Sequence, residues 1–252
     1  MLNKHDTGGM LRKRILLPAL QVLHHSVVTA LDAVSPRRCA FCGMRRYPDE
    51  MLICKGCHAD LPRLKNPCPG CARPMLLAAG VNCADCQARP LPFTAVVVPF
   101  AYAFPIDAAI RQYKFRRKLW YAPAFAELLL PALDDLPDSI DAILPVPLHW
   151  LRHGVRGFNQ AAEVSRGLCR QTGLPMLRQV YRRRPTPYQS GSNARARRRN
   201  LRRAFSVRGR ITARHVLIVD DVVTTGETCR QLARVLTRAG VDEISVLAIA
   251  RA

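Results

Sequence analysis

Apolar positions along this chain fall into two regimes. From about residue 95 onward, short runs of β-branched residues alternate with stretches of helical period; before it the pattern is broken by prolines and paired cysteines. The clearest run is Val216, Leu217, Ile218 and Val219, four successive apolar residues without alternation, which predicts a strand buried on both faces. Two carboxylates, Asp220 and Asp221, close it. Thr224, Thr225, Gly226 and Thr228 then lead into a helix predicted over 227–239 and ended by Gly240. Upstream, the pattern predicts a strand at 95–102, helices at 105–115 and 119–133, a short strand at 142–144 running into Pro145-Val146-Pro147, a helix at 159–171 and a strand near 176–180. A long basic connection precedes the final strand, helix and strand of 216–249. Such alternation predicts a parallel sheet covered by helices on both faces.

The remainder divides by composition. Residues 1–38 carry a basic start and then Leu16, Leu20, Leu23, Val27 and Leu31 at helical spacing, an amphipathic helix that packs on its own protein or lies on a membrane surface. Gln21, His24 and His25 interrupt it too early for a convincing export signal, so a cytoplasmic location is expected. Apolar runs elsewhere are too short for a transmembrane span. Residues 39–90 form a cysteine module and residues 91–252 the α/β domain. Against 18 acidic residues stand 39 Lys and Arg, a net charge of +21 that favours polyanionic partners without choosing among them.

Eight of the ten cysteines form C-x-x-C pairs: Cys39/Cys42, Cys54/Cys57, Cys68/Cys71 and Cys83/Cys86. The second two pairs repeat the first two at one constant shift, positions 39, 42, 54 and 57 recurring as 68, 71, 83 and 86. This is an internal duplication whose unit contains four thiols. Four thiolates suit a tetrahedral structural zinc with no open position for water, so two zinc ions are expected. The spacing favours sequential sites, with crossed pairing of knuckles open; disulfides would require an oxidising compartment.

The acidic pair and hydroxyl-rich loop form one device. Ligands of open α/β sheets bind beyond the carboxyl ends of the strands, and a helix N-terminus with hydroxyl side chains suits a phosphate. The carboxylates suit ribose hydroxyls, or magnesium held with the sugar. The opening VLIVDD also resembles response-regulator receiver domains, but those need roughly another hundred residues, a small domain's length. The sequence runs only from Asp221 to Ala252, far short of that. An acidic turn after a core strand would not require TTG-x-T.

VLIVDDVVTTGET resembles the phosphoribosyl pyrophosphate motif of type I phosphoribosyltransferases at every position. Tyr113-Lys114-Phe115, Pro145-Val146-Pro147, Arg156-Gly157-Phe158-Asn159-Gln160, Gln189, and Arg197 through Asn200 to Phe205 resemble the motifs of the ComF family, competence-associated phosphoribosyltransferase-like proteins with an N-terminal cysteine-knuckle module. The resemblance covers residues 36–252. It implies a type I phosphoribosyltransferase fold behind a double zinc ribbon, and phosphoribosyl pyrophosphate bound with magnesium. Asp220 and Asp221 would grip the ribose hydroxyls; Thr224, Thr225, Gly226 and Thr228 would hold the 5-phosphate. Pro145 and Val146 stand where the family's loop binds pyrophosphate. It also implies single-stranded DNA or the competence helicase machinery as partners.

Several of these residues have plainer readings. Pro145-Val146-Pro147 is a ligand loop whose proline bonds could be cis, or a rigid strand terminator. Arg156 holds an anion before a helix, or is solvated. Lys114 ends an apolar helix face, where snorkelling explains it equally well. Nine arginines between Arg182 and Arg203, Arg197 among them, belong to a mobile loop closing over pyrophosphate, to a single-stranded nucleic-acid surface, or to ordinary surface charge. Thr224 replaces the Asp with which purine-salvage relatives assist proton removal, which argues against hypoxanthine or guanine as acceptor.

Overall fold

A computed structural model describes residues 37–47, 50–76, 80–148, 157–183 and 204–252. The predicted N-terminal helix, Arg156, Gln189 and Arg197 lie outside them. The chain divides into two compact units, residues 1–54 and 55–252.

The cysteine module repeats in three dimensions as it does in sequence. Short helices α1 (Lys55–Ala59) and α2 (Ala84–Ala88) start just after the first cysteine of each second knuckle and carry its second cysteine, and isolated antiparallel bridges at Arg38/Arg45 and Pro67/Pro74 close each first knuckle. In both halves the first cysteine's N–H donates across its knuckle, Cys39 to the Met44 carbonyl and Cys68 to the Arg73 carbonyl, at 2.8 Å. Equal geometry at corresponding positions of the two halves is what a duplicated ribbon requires.

The larger unit is built on a parallel sheet. Its strands are β1 (Ala95–Val97), β2 (Phe100–Ala101), β3 (Ala142–Pro145), β6 (His215–Val223) and β7 (Glu243–Arg251), in the order β1, β7, β6, β3, with β2 also pairing β7. The expected single strand at 95–102 is thus two short ones broken at Pro99, which cannot donate to a ladder. Residues 216–219 are all fully buried, because helices flank the sheet: α3 (Ile106–Arg116), α4 (Tyr121–Leu129) with a 3₁₀ turn at Pro131–Leu133, α5 (Gln160–Thr172) and α6 (Glu227–Arg238). Gly240, at φ 92°, follows α6 in the left-handed region that L side chains avoid.

Two differences from expectation matter. The strand expected near 176–180 is a single parallel bridge from Met176 to Ile143, followed by an antiparallel ribbon of β4 (Val180–Arg182) and β5 (Phe205–Val207). Its two strands are separated by the basic connection, so no local pattern announces their pairing. Among the described residues the cis proline bond falls at Phe104–Pro105, not in Pro145-Val146-Pro147.

The helices draw the scattered motifs together. Tyr113 on α3 is fully buried, its ring 5.3 Å from Phe158 and 5.7 Å from Phe125, and its hydroxyl donates to the Gln160 carbonyl at 3.0 Å. Gly167 on α5 lies so close to α4 that an added Cβ would stand 2.4 Å from the Ala126 Cβ. A side chain there would force the helices apart.

Candidate functional site

Strand β6 carries the acidic pair further than its apolar run suggests. β7 continues beside it, pairing Asp220 with Ala248, Val222 with Ala250 and Val223 with Arg251, so both carboxylates sit within the strand. The chain then turns through exposed Thr224 and Thr225 into Gly226, whose φ of 69° admits glycine without strain. The Glu227 N–H donates to the Thr225 hydroxyl at 3.4 Å, and the first N–H groups of a helix such as α6 have no intrahelical acceptor. Thr228 is partly exposed in that turn.

Neighbours shape the carboxylates differently. Asp221 is ion-paired with Lys114 at 2.8 Å, both side chains being less than one-fifth exposed. Asp220 accepts the Asp221 N–H at 2.8 Å. Desolvation, with the adjacent Asp221 charge, pushes the Asp220 pKa up to about 7 against the opposing pull of Lys114, that N–H and Arg182. Sequence reasoning missed Lys114 as a site residue because its partner lies 107 positions away. It stands in the Tyr113-Lys114-Phe115 motif, whose packing against Phe158 fixes the end of α3 over the acidic pair.

The other loop is tied to the same strand. The Val146 N–H donates to the Val219 carbonyl at 2.9 Å, and the Asn159 amide donates to the Val146 carbonyl at 3.0 Å. The Asn159 carbonyl oxygen accepts the Ala162 N–H, so this side chain caps α5 and anchors the Pro145-Val146-Pro147 segment at once. These residues come together with the acidic pair at the carboxyl ends of β3 and β6.

Two cavities open beside these segments, one at the β3 end and one at the Thr224 loop and the β7 end, and neither is lined by Asp220 or Asp221. One, of about 660 Å³, is bounded by Pro145, Pro147, Asn159 and the guanidinium-bearing Arg166, Arg178 and Arg182. The other, of about 750 Å³, reaches from Thr224 and Thr225 along α6 to the second cysteine ribbon. Arg251, buried at the end of β7, joins these parts: it donates to the Cys71 carbonyl and the Val223 carbonyl, each at 3.2 Å.

The thiols gather as two quartets, Cys39, Cys42, Cys54 and Cys57, and Cys68, Cys71, Cys83 and Cys86, each within 4.8 Å of one another, which is sequential rather than crossed pairing. Burial raises the Cys39 and Cys68 thiols, but N–H groups from both knuckles of each quartet, of Cys42, Cys54 and Phe41 on Cys39 and of Cys83, Gly70 and Cys71 on Cys68, outweigh it and bring both down to about 7. Burial and the neighbouring thiols push Cys71 and Cys86 the other way, so it is the gathering of four thiols around one point in each quartet that fits a tetrahedral zinc. Among the described residues no carboxylate cluster of this kind occurs. Cys229 is buried in α6 and Cys169 half-buried in α5, outside both quartets.

A parallel sheet with an acidic pair and a threonine-rich loop, behind paired four-thiol ribbons, defines a phosphoribosyltransferase-like protein with a double zinc ribbon. Family models agree: "Double zinc ribbon domain" matches residues 30–87 and "Phosphoribosyl transferase domain" residues 126–252. The chain belongs to the ComF family of competence proteins. It is 32% identical to Competence protein F of Haemophilus influenzae over 224 residues, covering 85% of this chain and 97% of that protein. It is 34% identical to DNA utilization protein YhgH of Escherichia coli K12 over 225 residues, covering 86% and 97%. Competence protein ComFC of Streptococcus pneumoniae is 25% identical over 207 residues, covering 81% and 89%. A purine phosphoribosyltransferase structure from Pyrococcus horikoshii matches at TM-score 0.31 and 18% identity, covering 53% and 84%; at that level it adds nothing to the fold. No helix among the described residues is long and apolar enough to cross a membrane.

Proposed function

We propose that the α/β domain binds phosphoribosyl pyrophosphate with magnesium and transfers the phosphoribosyl group to an acceptor, in the cytoplasm. The observation that carries this reading is the assembly of Asp220, Asp221 and the Thr224 to Thr228 loop beside a cavity open at that loop. In it, Asp220 and Asp221 accept the ribose hydroxyls, and the loop hydroxyls and helix N–H groups hold the 5-phosphate. Pro145, Val146 and the arginines of the smaller cavity receive the pyrophosphate, with Arg156 and Arg197 assigned to the same anion from sequence.

The reaction is displacement at the anomeric carbon, with positive charge developing on the ribose. Carboxylates held beneath the sugar offset that charge, and phosphate binding remote from the reacting bond positions the carbon. Magnesium, when bound, spreads the charge of the departing pyrophosphate. With Lys114 ion-paired to Asp221, the acidic pair would offer little capacity for a magnesium ion held by the protein alone. As the sugar arrives, its hydroxyls compete with Lys114 for Asp221.

Retention of labelled phosphoribosyl pyrophosphate by the zinc-loaded protein tests this. Saturable binding that strengthens with magnesium is expected; no retention at millimolar ligand overturns it. A second reading, motivated by the competence and DNA-utilization names of the relatives, is a single-stranded-DNA-handling protein that keeps the pocket without turnover. It predicts steeply salt-dependent DNA binding that survives Asp220→Asn and Asp221→Asn.

A further inference from the structure

We propose that the ribbon end of the cavity that opens at the phosphate loop is the acceptor site, and that it takes an acceptor bearing a phosphate. This rests on the transferase reading above and deepens it.

Position comes first. In the sheet, β6 lies between β3 and β7. The proposed pyrophosphate loop stands on the β3 side, whereas this cavity is walled by Arg251 at the end of β7 and by Thr224 and Thr225. Displacement brings the nucleophile in opposite the leaving group. The acceptor's lone pair forms the bond to the anomeric carbon, the carbon–oxygen bond breaks with its electrons passing to pyrophosphate, and any acceptor proton passes to water. With the leaving group on the β3 flank, the nucleophile comes from the β7 flank, where this cavity lies.

Charge selects the ligand class. Arg73 and Arg89 reach the cavity from the ribbon, and Arg230 and Arg234 from α6. Two acids oppose them, and both are engaged: Asp85 with Arg73 at 2.8 Å, Glu227 with the Gln231 amide at 2.7 Å. The exposed Arg89 and Arg234 side chains have no hydrogen bond or ion pair among the described residues. Two uncompensated guanidinium groups lining one cavity favour an anionic ligand, and arginine binds phosphate bidentately. The volume of about 750 Å³, shared between the loop-bound ribose phosphate and the acceptor, falls in the usual range for small-molecule sites, about 300 to 1,000 Å³.

The test uses full-length, zinc-loaded protein with ribose 5-phosphate saturating the loop, titrated calorimetrically with adenosine 5′-monophosphate and, separately, adenosine. Wild type should bind the monophosphate at least tenfold tighter. Arg89→Glu with Arg234→Glu should remove that preference while ribose 5-phosphate affinity stays within twofold. Equal binding of the two probes by wild type, or a preference that survives the charge reversals, overturns the assignment. If ribose 5-phosphate itself fails to bind wild type, the transferase reading falls and the acceptor role with it.

Discussion

Asp220 is held at a cost to the fold, and replacing it with Asn should reveal how much. Its carboxyl pKa stands near 7 in the folded protein against an ordinary 3.8, because the group is desolvated beside Asp221. A carboxyl whose folded pKa is raised binds its proton more tightly in the fold, so the fold loses stability as pH rises from the lower value to the higher. The full difference corresponds to about 4 kcal/mol above pH 7, an upper figure that relaxation will reduce. Asn retains an oxygen to accept the Asp221 N–H and carries no charge at any of these pH values. Denaturant unfolding of both proteins between about pH 5.5 and 8.5, a range in which the zinc thiolates stay metallated, measures the difference. Asp220→Asn should gain on wild type by about 2 kcal/mol across that range, most of it below about pH 7.5. A stability difference that stays flat with pH, or that shrinks as pH rises, would refute the desolvation account.

Three further changes probe other parts of the structure. Gly167→Ala should destabilise the α4 to α5 contact by about 1 to 3 kcal/mol, visible as a lowered melting temperature, with Ala126→Gly restoring part of the loss. Cys68→Ser should reduce bound zinc from two equivalents per chain to one, read by metal analysis after chelator challenge; retention of both would mean the quartets do not act separately. Asn159→Ala should cost about 1 kcal/mol through the lost cap of α5, and should weaken pyrophosphate binding more than ribose 5-phosphate binding, because Val146 loses its tether.

The sequence carried the duplicated ribbon well, since the constant shift between its two cysteine quartets reappears as matching bridges, helices and knuckle hydrogen bonds. It also carried the strand of Val216 to Val219, whose unbroken apolar run matches burial on both faces. The length of that strand was not legible, because β7 pairing, not local hydrophobicity, extends it through Asp220 and Asp221 to Val223. Lys114 stayed undecided between snorkelling and a site role, because periodicity shows which face a side chain occupies but not the carboxylate it meets there. The second ribbon read as an independent module. Its approach to the phosphate loop depends on Arg251, whose contacts with Cys71 and Val223 join parts of the chain 180 and 28 residues distant.

Calorimetric titration of phosphoribosyl pyrophosphate with magnesium into wild type and Asp221→Asn tests the central claim most directly, since it needs no acceptor. The sugar-phosphate site predicts one ligand per chain for wild type and at least tenfold weaker binding for the variant. No saturable heat from wild type, or equal affinity in both proteins, would contradict it.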